Sequence, residues 1–265
     1  AEMEPLSTTA QKARASRKLM LVSILKTFGC YSSVYFIRTA TFKLYTIQDW
    51  RNEMKITIFG ATGSLGTEIL QQALEQGHEV TVLVRNAKSL PVQYRDKIAV
   101  YQGNALNPAD VKQALPEGTE AVLFAMGILK DPQHGVCTRA TQIIIDAMRE
   151  ANIKRFVYCS GANAATELDQ VTFGSRLLAF IGRKLMPEVA LDKITQYDYL
   201  LQQKDIDWIG VRPAIMKKGP KTGEYRFGFD KYGLRSVIRF SDCAELMLKL
   251  LNDQQWVHRA AVVQY

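Results

Sequence analysis

The 265-residue sequence has little cysteine and less histidine, and both shortages narrow its chemistry. Four cysteines (Cys30, Cys137, Cys159, Cys243) are scattered with no Cys-x-x-Cys spacing. They read as separate buried thiols of a reducing compartment and exclude a disulfide framework. Three histidines (His78, His134, His258) lie too far apart for a zinc site, and His134 with Cys137 reads as a loop coincidence. Seventeen Gly and eight Pro are too few for a fibrous or low-complexity chain.

Acid is missing from one long stretch. Between Pro5 and Gln48 there is no Asp or Glu, while Lys12, Arg14, Arg17, Lys18, Lys26, Arg38 and Lys43 stand among many Ser and Thr. Residues 1–53 therefore hold half of the formal +8 in one fifth of the chain. The remainder is only mildly basic, which argues against nucleic acid as a partner. The apolar run at residues 19–25 is interrupted by Lys26 and followed by Gly29, Ser32 and Ser33, so a membrane span there is marginal. Three readings of residues 1–53 stay open. They are a mitochondrial or plastid targeting segment, an arm contacting a membrane surface or a protein complex, or a non-native extension of a cytoplasmic domain that begins at Met54.

From Met54 onward the pattern is regular. β-Branched apolar runs at residues 55–59, 79–84, 98–101, 121–125, 155–159 and 208–211 read as strands. Helical periodicity is present at residues 64–76, 108–115, 138–151, 193–203 and 242–251, and residues 260–263 make a last strand. Strands that are apolar throughout and alternate with helices predict an α/β fold, a doubly wound parallel sheet of Rossmann type. The expected organisation is one such domain over residues 54–265, with 1–53 as an extension. Residues 162–191 and 214–239 depart from the rhythm and read as insertions that build a substrate site.

The strongest motif is Gly60-Ala61-Thr62-Gly63-Ser64-Leu65-Gly66, which follows a strand and opens a helix. Gly60 permits a tight turn, Gly63 admits a pyrophosphate and Gly66 lets the helix lie close to the sheet. The free N–H groups of the helix start then face the phosphates. Arg85 ends the second strand 19 residues after Gly66, where an NAD site places an acid. With Asn86 and Lys88 beside it, Arg85 suits a 2′-phosphate, so NADP(H) is the expected cofactor.

Asn104 and Ala105 follow the third strand, where the amide of Asn104 faces either the adenine edge or its own turn before Pro108. Met126 and Gly127 follow the fourth strand and bring backbone near the ribose. Ser160 ends the fifth, either to polarise a substrate carbonyl or as a local cap. The chain has no Gly-x-Ser-x-Gly elbow, and no tyrosine is followed by lysine four positions later. Without a dedicated acid, hydride transfer to a flavin, quinone or linear tetrapyrrole is favoured over reduction of simple ketones. Tyr197 and Tyr199 are candidate donors or stacking partners, one of them expected in the core, and Asp205 and Asp207 read as turn residues.

Residues 55–85, Gly103-Asn104, Cys159-Ser160, residues 207–213 and residues 221–225 resemble the atypical short-chain dehydrogenases. The subgroup most similar is that of NmrA-like proteins and NADPH-dependent flavin reductase/biliverdin reductase B. The resemblance spans residues 54–265. It implies Gly60, Thr62, Gly63, Ser64 and Leu65 around the pyrophosphate and Arg85 at the 2′-phosphate. It further implies Asn104 and Ala105 near adenine, Met126 and Gly127 at the ribose, and Ser160, Pro213 and Ala214 beside the nicotinamide. The sequence departs from the subgroup at Asn104, where Asp is usual, and at Ile194, Asp198 and Ala214, where those reductases carry histidines. The expectation is an NADPH-dependent reductase, with a catalytically quiet NADP(H)-binding sensor or assembly subunit as the alternative.

Overall fold

The computed structural model describes residues 53–127, 135–162 and 166–265. The expectations for residues 1–52 and for His134 lie outside these. Eight strands form one sheet in the order β3-β2-β1-β4-β5-β6-β10-β8. Its strands are β1 (Lys55–Phe59), β2 (Glu79–Val84), β3 (Ala99–Gln102), β4 (Ala121–Phe124), β5 (Arg155–Cys159), β6 (Asp207–Pro213), β8 (Arg226–Gly228) and β10 (Arg259–Gln264). All neighbours are parallel except β8, which runs antiparallel on β10. The order from β3 to β6 reverses between β1 and β4, which creates the crevice expected of a doubly wound sheet.

The register explains why the strands are apolar on both faces. Ile56 pairs with Val80 on one side and Ala121 on the other, and Ile58 with Val82 and Leu123. These residues face α1 (Ser64–Glu75) and α7 (Phe240–Lys249), which contribute Ile69, Leu70, Ala244 and Met247 to one core. On the opposite face Phe59, Phe124, Phe156 and Trp208 pack under α3 (Pro108–Gln113), α4 (Val136–Glu150) and α6 (Pro187–Leu201). Thr57 is the buried polar exception in β1, and its hydroxyl donates to the Ala114 carbonyl at 2.8 Å.

Two sequence-based boundaries need correction. Residues 162–191 hold a helix of their own, α5 (Phe173–Leu185), opened by a reciprocal Thr172/Ser175 capping box. The next helix begins at Pro187, six residues before the expected start at Lys193. Its buried face carries Asp192, Lys193 and Gln196, so hydrophobic periodicity does not register its first turns. In residues 214–239, β7 (Ile215–Lys217) and β9 (Val237–Arg239) form a separate two-stranded parallel sheet. A short helix, α2 (Val92–Arg95), completes the elements between β2 and β3. Among the described residues no helix is long and apolar enough to cross a membrane, and Cys137, Cys159 and Cys243 are buried free thiols.

Candidate functional site

The glycine turn joins β1 to α1 at the crevice. Gly60 has φ +90°, and a Cβ there would lie 2.7 Å from the Ala125 carbonyl and 2.8 Å from the Met126 nitrogen. Only glycine lets β1 end this close to the chain leaving β4. Gly63 is the N-cap of α1 in extended conformation and supplies no side-chain cap, and the first turn holds no acid. Its own N–H bonds the Gly60 carbonyl at 3.0 Å. The following N–H groups and the positive end of a 12-residue helix thus open onto exposed Thr62, Gly63 and Ser64. This cradle fits a pyrophosphate. Leu65 is buried and Gly66 is enclosed by the turn, so both serve through backbone.

The neighbouring strand ends line up on the same rim. Arg85 is exposed immediately after β2. Asn86 caps the short 3₁₀ turn Ala87–Ser89, its Oδ1 accepting from the Lys88 N–H at 2.9 Å, so its carbonyl end is already used. Asn104 is held the same way, accepting from the Leu106 N–H at 3.1 Å, while its own N–H donates to Asp110 at 2.8 Å. Of the two readings of Asn104, the geometry contains the turn. Ala105 is buried in the core beside Phe59 and Val111, which leaves its backbone for a ligand. Met126 is half-buried, and Gly127 is exposed, with no atom of the described residues within 4 Å of where a Cβ would stand.

Ser160 continues β5 by donating its N–H to the Val211 carbonyl at 2.9 Å. Its Oγ is buried and has no hydrogen-bond partner among the described residues. A buried hydroxyl left unpaired is costly unless a ligand completes it. Pro213 is buried at the end of β6 with its carbonyl accepting from Ala162, and Ala214 is half-buried beyond it.

Lys193 on α6 was not recognised as a site residue from sequence. It is 7 % exposed. Its Nζ lies 3.3 Å from Cys137 Sγ, 3.5 Å from the Cys159 carbonyl and 3.4 Å from Gln196 Oε1. It therefore reaches the end of β5 one residue before Ser160. The available signal was a lysine on the buried helical face shared with Gln196 and Leu200. Burial pushes the Cys137 thiol above its ordinary value, and Lys193 only partly offsets this. Cys137 thus stays a thiol near neutral pH.

The other candidates are structural. Tyr197 packs edge-on against Trp208 at 6.1 Å, and Tyr199 borders the same core. Burial raises the phenol of each, which suits packing. Asp205 pairs with Arg149 at 2.7 Å, and Asp207 opens β6 opposite Arg155. Among the described residues no group of His, Cys, Asp or Glu could hold a metal ion.

The family model described as NAD(P)H-binding matches residues 60–254, from the first glycine of the turn to beyond α7. The YwnB protein of Bacillus subtilis is 31% identical over 208 residues, covering 75% of this chain and 92% of its own length. Photosystem II assembly factor Ycf39 of Synechocystis is 31% identical over 115 residues, 42% of this chain and 35% of that protein. The solved structure of ChuY, an anaerobillin reductase from Escherichia coli O157:H7, superposes with TM-score 0.66 at 19% identity. That match covers 80% of this chain and 97% of ChuY, and it bears on the fold alone. The glycine turn, the strand order and these likenesses agree with the expected atypical short-chain dehydrogenase fold, and the chain belongs to the NAD(P)H-binding family.

Proposed function

We propose that the protein is an NADPH-dependent reductase that passes hydride to a conjugated acceptor of flavin, quinone or linear-tetrapyrrole type. The observation that carries this reading is the buried Oγ of Ser160 just past β5, unpaired among the described residues, one residue after the Cys159 carbonyl that the Lys193 amine approaches at 3.5 Å. When bound, NADPH supplies the hydride from its nicotinamide ring. The N–H groups of the α1 start hold the pyrophosphate, and Arg85 selects the 2′-phosphate. Ser160 donates to an acceptor carbonyl, and Lys193 contributes positive potential as negative charge develops there. No side chain is needed to deliver the proton, because a conjugated product takes it from water. Catalysis then rests on holding donor and acceptor face to face. The fold likeness to ChuY, a reductase of a bilin-type compound by its name, is in keeping with this acceptor class.

The test is steady-state NADPH oxidation by the full chain with FMN, a quinone panel and a linear tetrapyrrole. Turnover on at least one acceptor is expected, with Ser160→Ala reducing kcat by about 10–100-fold. Tight NADPH binding without turnover on any of them would overturn the reading. It would favour a cofactor-binding assembly subunit, to which the partial match to Ycf39 gives specific support.

A further inference from the structure

Helix α5 is poorly covered by the fold that carries it. Of its 13 residues only Ser175 is buried. Phe173 is 83 % exposed, Phe180 55 % and Leu185 75 %. At 100° per residue, exposed Phe173, Phe180 and Lys184 share one stripe with half-buried Leu177, flanked by Arg176 and Arg183. Residues 170–186 contain no Asp or Glu.

A second segment extends this face. Gly174 lies against Gly233, where an added Cβ would come within 3.4 Å of the facing Cα. The Thr172 hydroxyl also donates to the Tyr232 carbonyl at 3.1 Å. These contacts set exposed Lys231, Leu234 and Arg235 beside the start of α5. Phe173, Leu177, Lys231, Leu234 and Arg235 line one open cleft of about 510 Å³. Residues 231–239 are likewise free of acid.

We propose that α5 and the turn at 231–235 form a face that docks on an anionic lipid bilayer. Exposed aromatic and aliphatic side chains ringed by cations match the layered chemistry of such a surface, apolar below and phosphate above. Lys184 on the apolar stripe extends its charged end toward headgroups while its stem stays buried. A second copy of the chain fits less well, because an isologous contact would set these cations against their own images. A small anionic ligand fits less well too, because the cleft is open and Phe173, Leu234 and Arg235 around it stand exposed. The proposal does not depend on the reductase reading.

The test is flotation of the full chain with vesicles of phosphatidylcholine alone or with about 30 mol % phosphatidylglycerol, at low and high salt. Binding is expected only to the anionic vesicles and is expected to weaken as salt rises. The double variant Phe173→Ser/Phe180→Ser should lower the bound fraction at least about tenfold. Arg183→Glu/Lys184→Glu should lower it by about fivefold or more per charge. NADPH affinity reports folding and should be unchanged in both variants. No binding by the unaltered chain would overturn the proposal. So would variants that float as well as the unaltered chain, since residues 1–52 would then hold the vesicle. A self-association abolished by Phe180→Ser, without lipid binding, would assign the face to a second copy.

Discussion

The carboxylate of Asp192 on α6 caps α4, accepting the backbone N–H of Thr138 at 2.9 Å and its hydroxyl at 2.6 Å. The Cys137 N–H donates to its second oxygen at 2.8 Å. A buried carboxylate thus fills the N-terminal anion site of α4, whereas the start of α1 carries no side-chain cap. It also fixes the turn of α6 that carries Lys193.

Asp192→Ala removes these charge-assisted bonds and leaves buried donors unpaired. Stability should fall by about 2–3 kcal/mol in urea unfolding, and Asp192→Asn should recover part of the loss. Wild-type stability in the alanine variant would refute the capping role.

The glycines of the turn separate packing from cofactor binding. A Cβ on Gly66 would lie 2.0 Å from the Gly60 carbonyl oxygen, against 3.4 Å for Gly63. Gly66→Ala should cost about 1–3 kcal/mol in thermal unfolding, as overpacked sites do. Gly63→Ala should change stability by less than about 1 kcal/mol yet weaken NADPH binding in a fluorescence titration.

Arg85→Asp tests cofactor choice directly. A cation on a phosphate contributes charge-assisted hydrogen bonds, so NADPH affinity should fall by about 10–100-fold while NADH affinity holds. Equal losses for both cofactors would remove Arg85 from the site.

Arg212 on β6 and Asp169 form an ion pair at 2.6 Å with both side chains 1 % exposed. Breaking it with Asp169→Ala leaves an unpaired buried charge and should cost about 3–5 kcal/mol. Replacing both partners with apolar residues should restore much of that, measured as a double-mutant cycle.

Acid should weaken the α4 surface through one pair. The Arg149 guanidinium holds the Asp205 carboxyl down to about 2, from an ordinary 3.8. Because the folded-state value is depressed, its contribution is present above about pH 4 and is lost as pH falls toward 2. The pair is largely solvent-exposed, so the effect should be below about 1 kcal/mol, seen as the difference between wild type and Asp205→Asn from pH 5 to pH 2.

The glycine turn was legible because its chemistry is local. A strand, Gly60, Gly63, Gly66 and an amphipathic helix are contiguous in sequence, and Gly60 and Gly66 answer backbone demands found again in the structure. The doubly wound parallel class was legible for a related reason, since uninterrupted apolar runs alternating with helices leave few topologies. Lys193 was not legible. The sequence places it only at the start of a helix, and the packing of α6 against α4 and β5 brings its amine to the Cys159 carbonyl.

The same division holds across the molecule. The residues alone determined a doubly wound sheet with a glycine turn between β1 and α1 and a cation at the end of β2, because strands, turns and caps are set by neighbours in the chain. Tertiary structure decided what the polar residues do. It spent the carbonyl ends of Asn86 and Asn104 in turns, buried Asp192 as a cap and left the Ser160 hydroxyl without a partner among the described residues. It also left α5 with its apolar side outward. Whether a polar group is satisfied, or an apolar one covered, depends on atoms far away in sequence, and only the assembled fold supplies them.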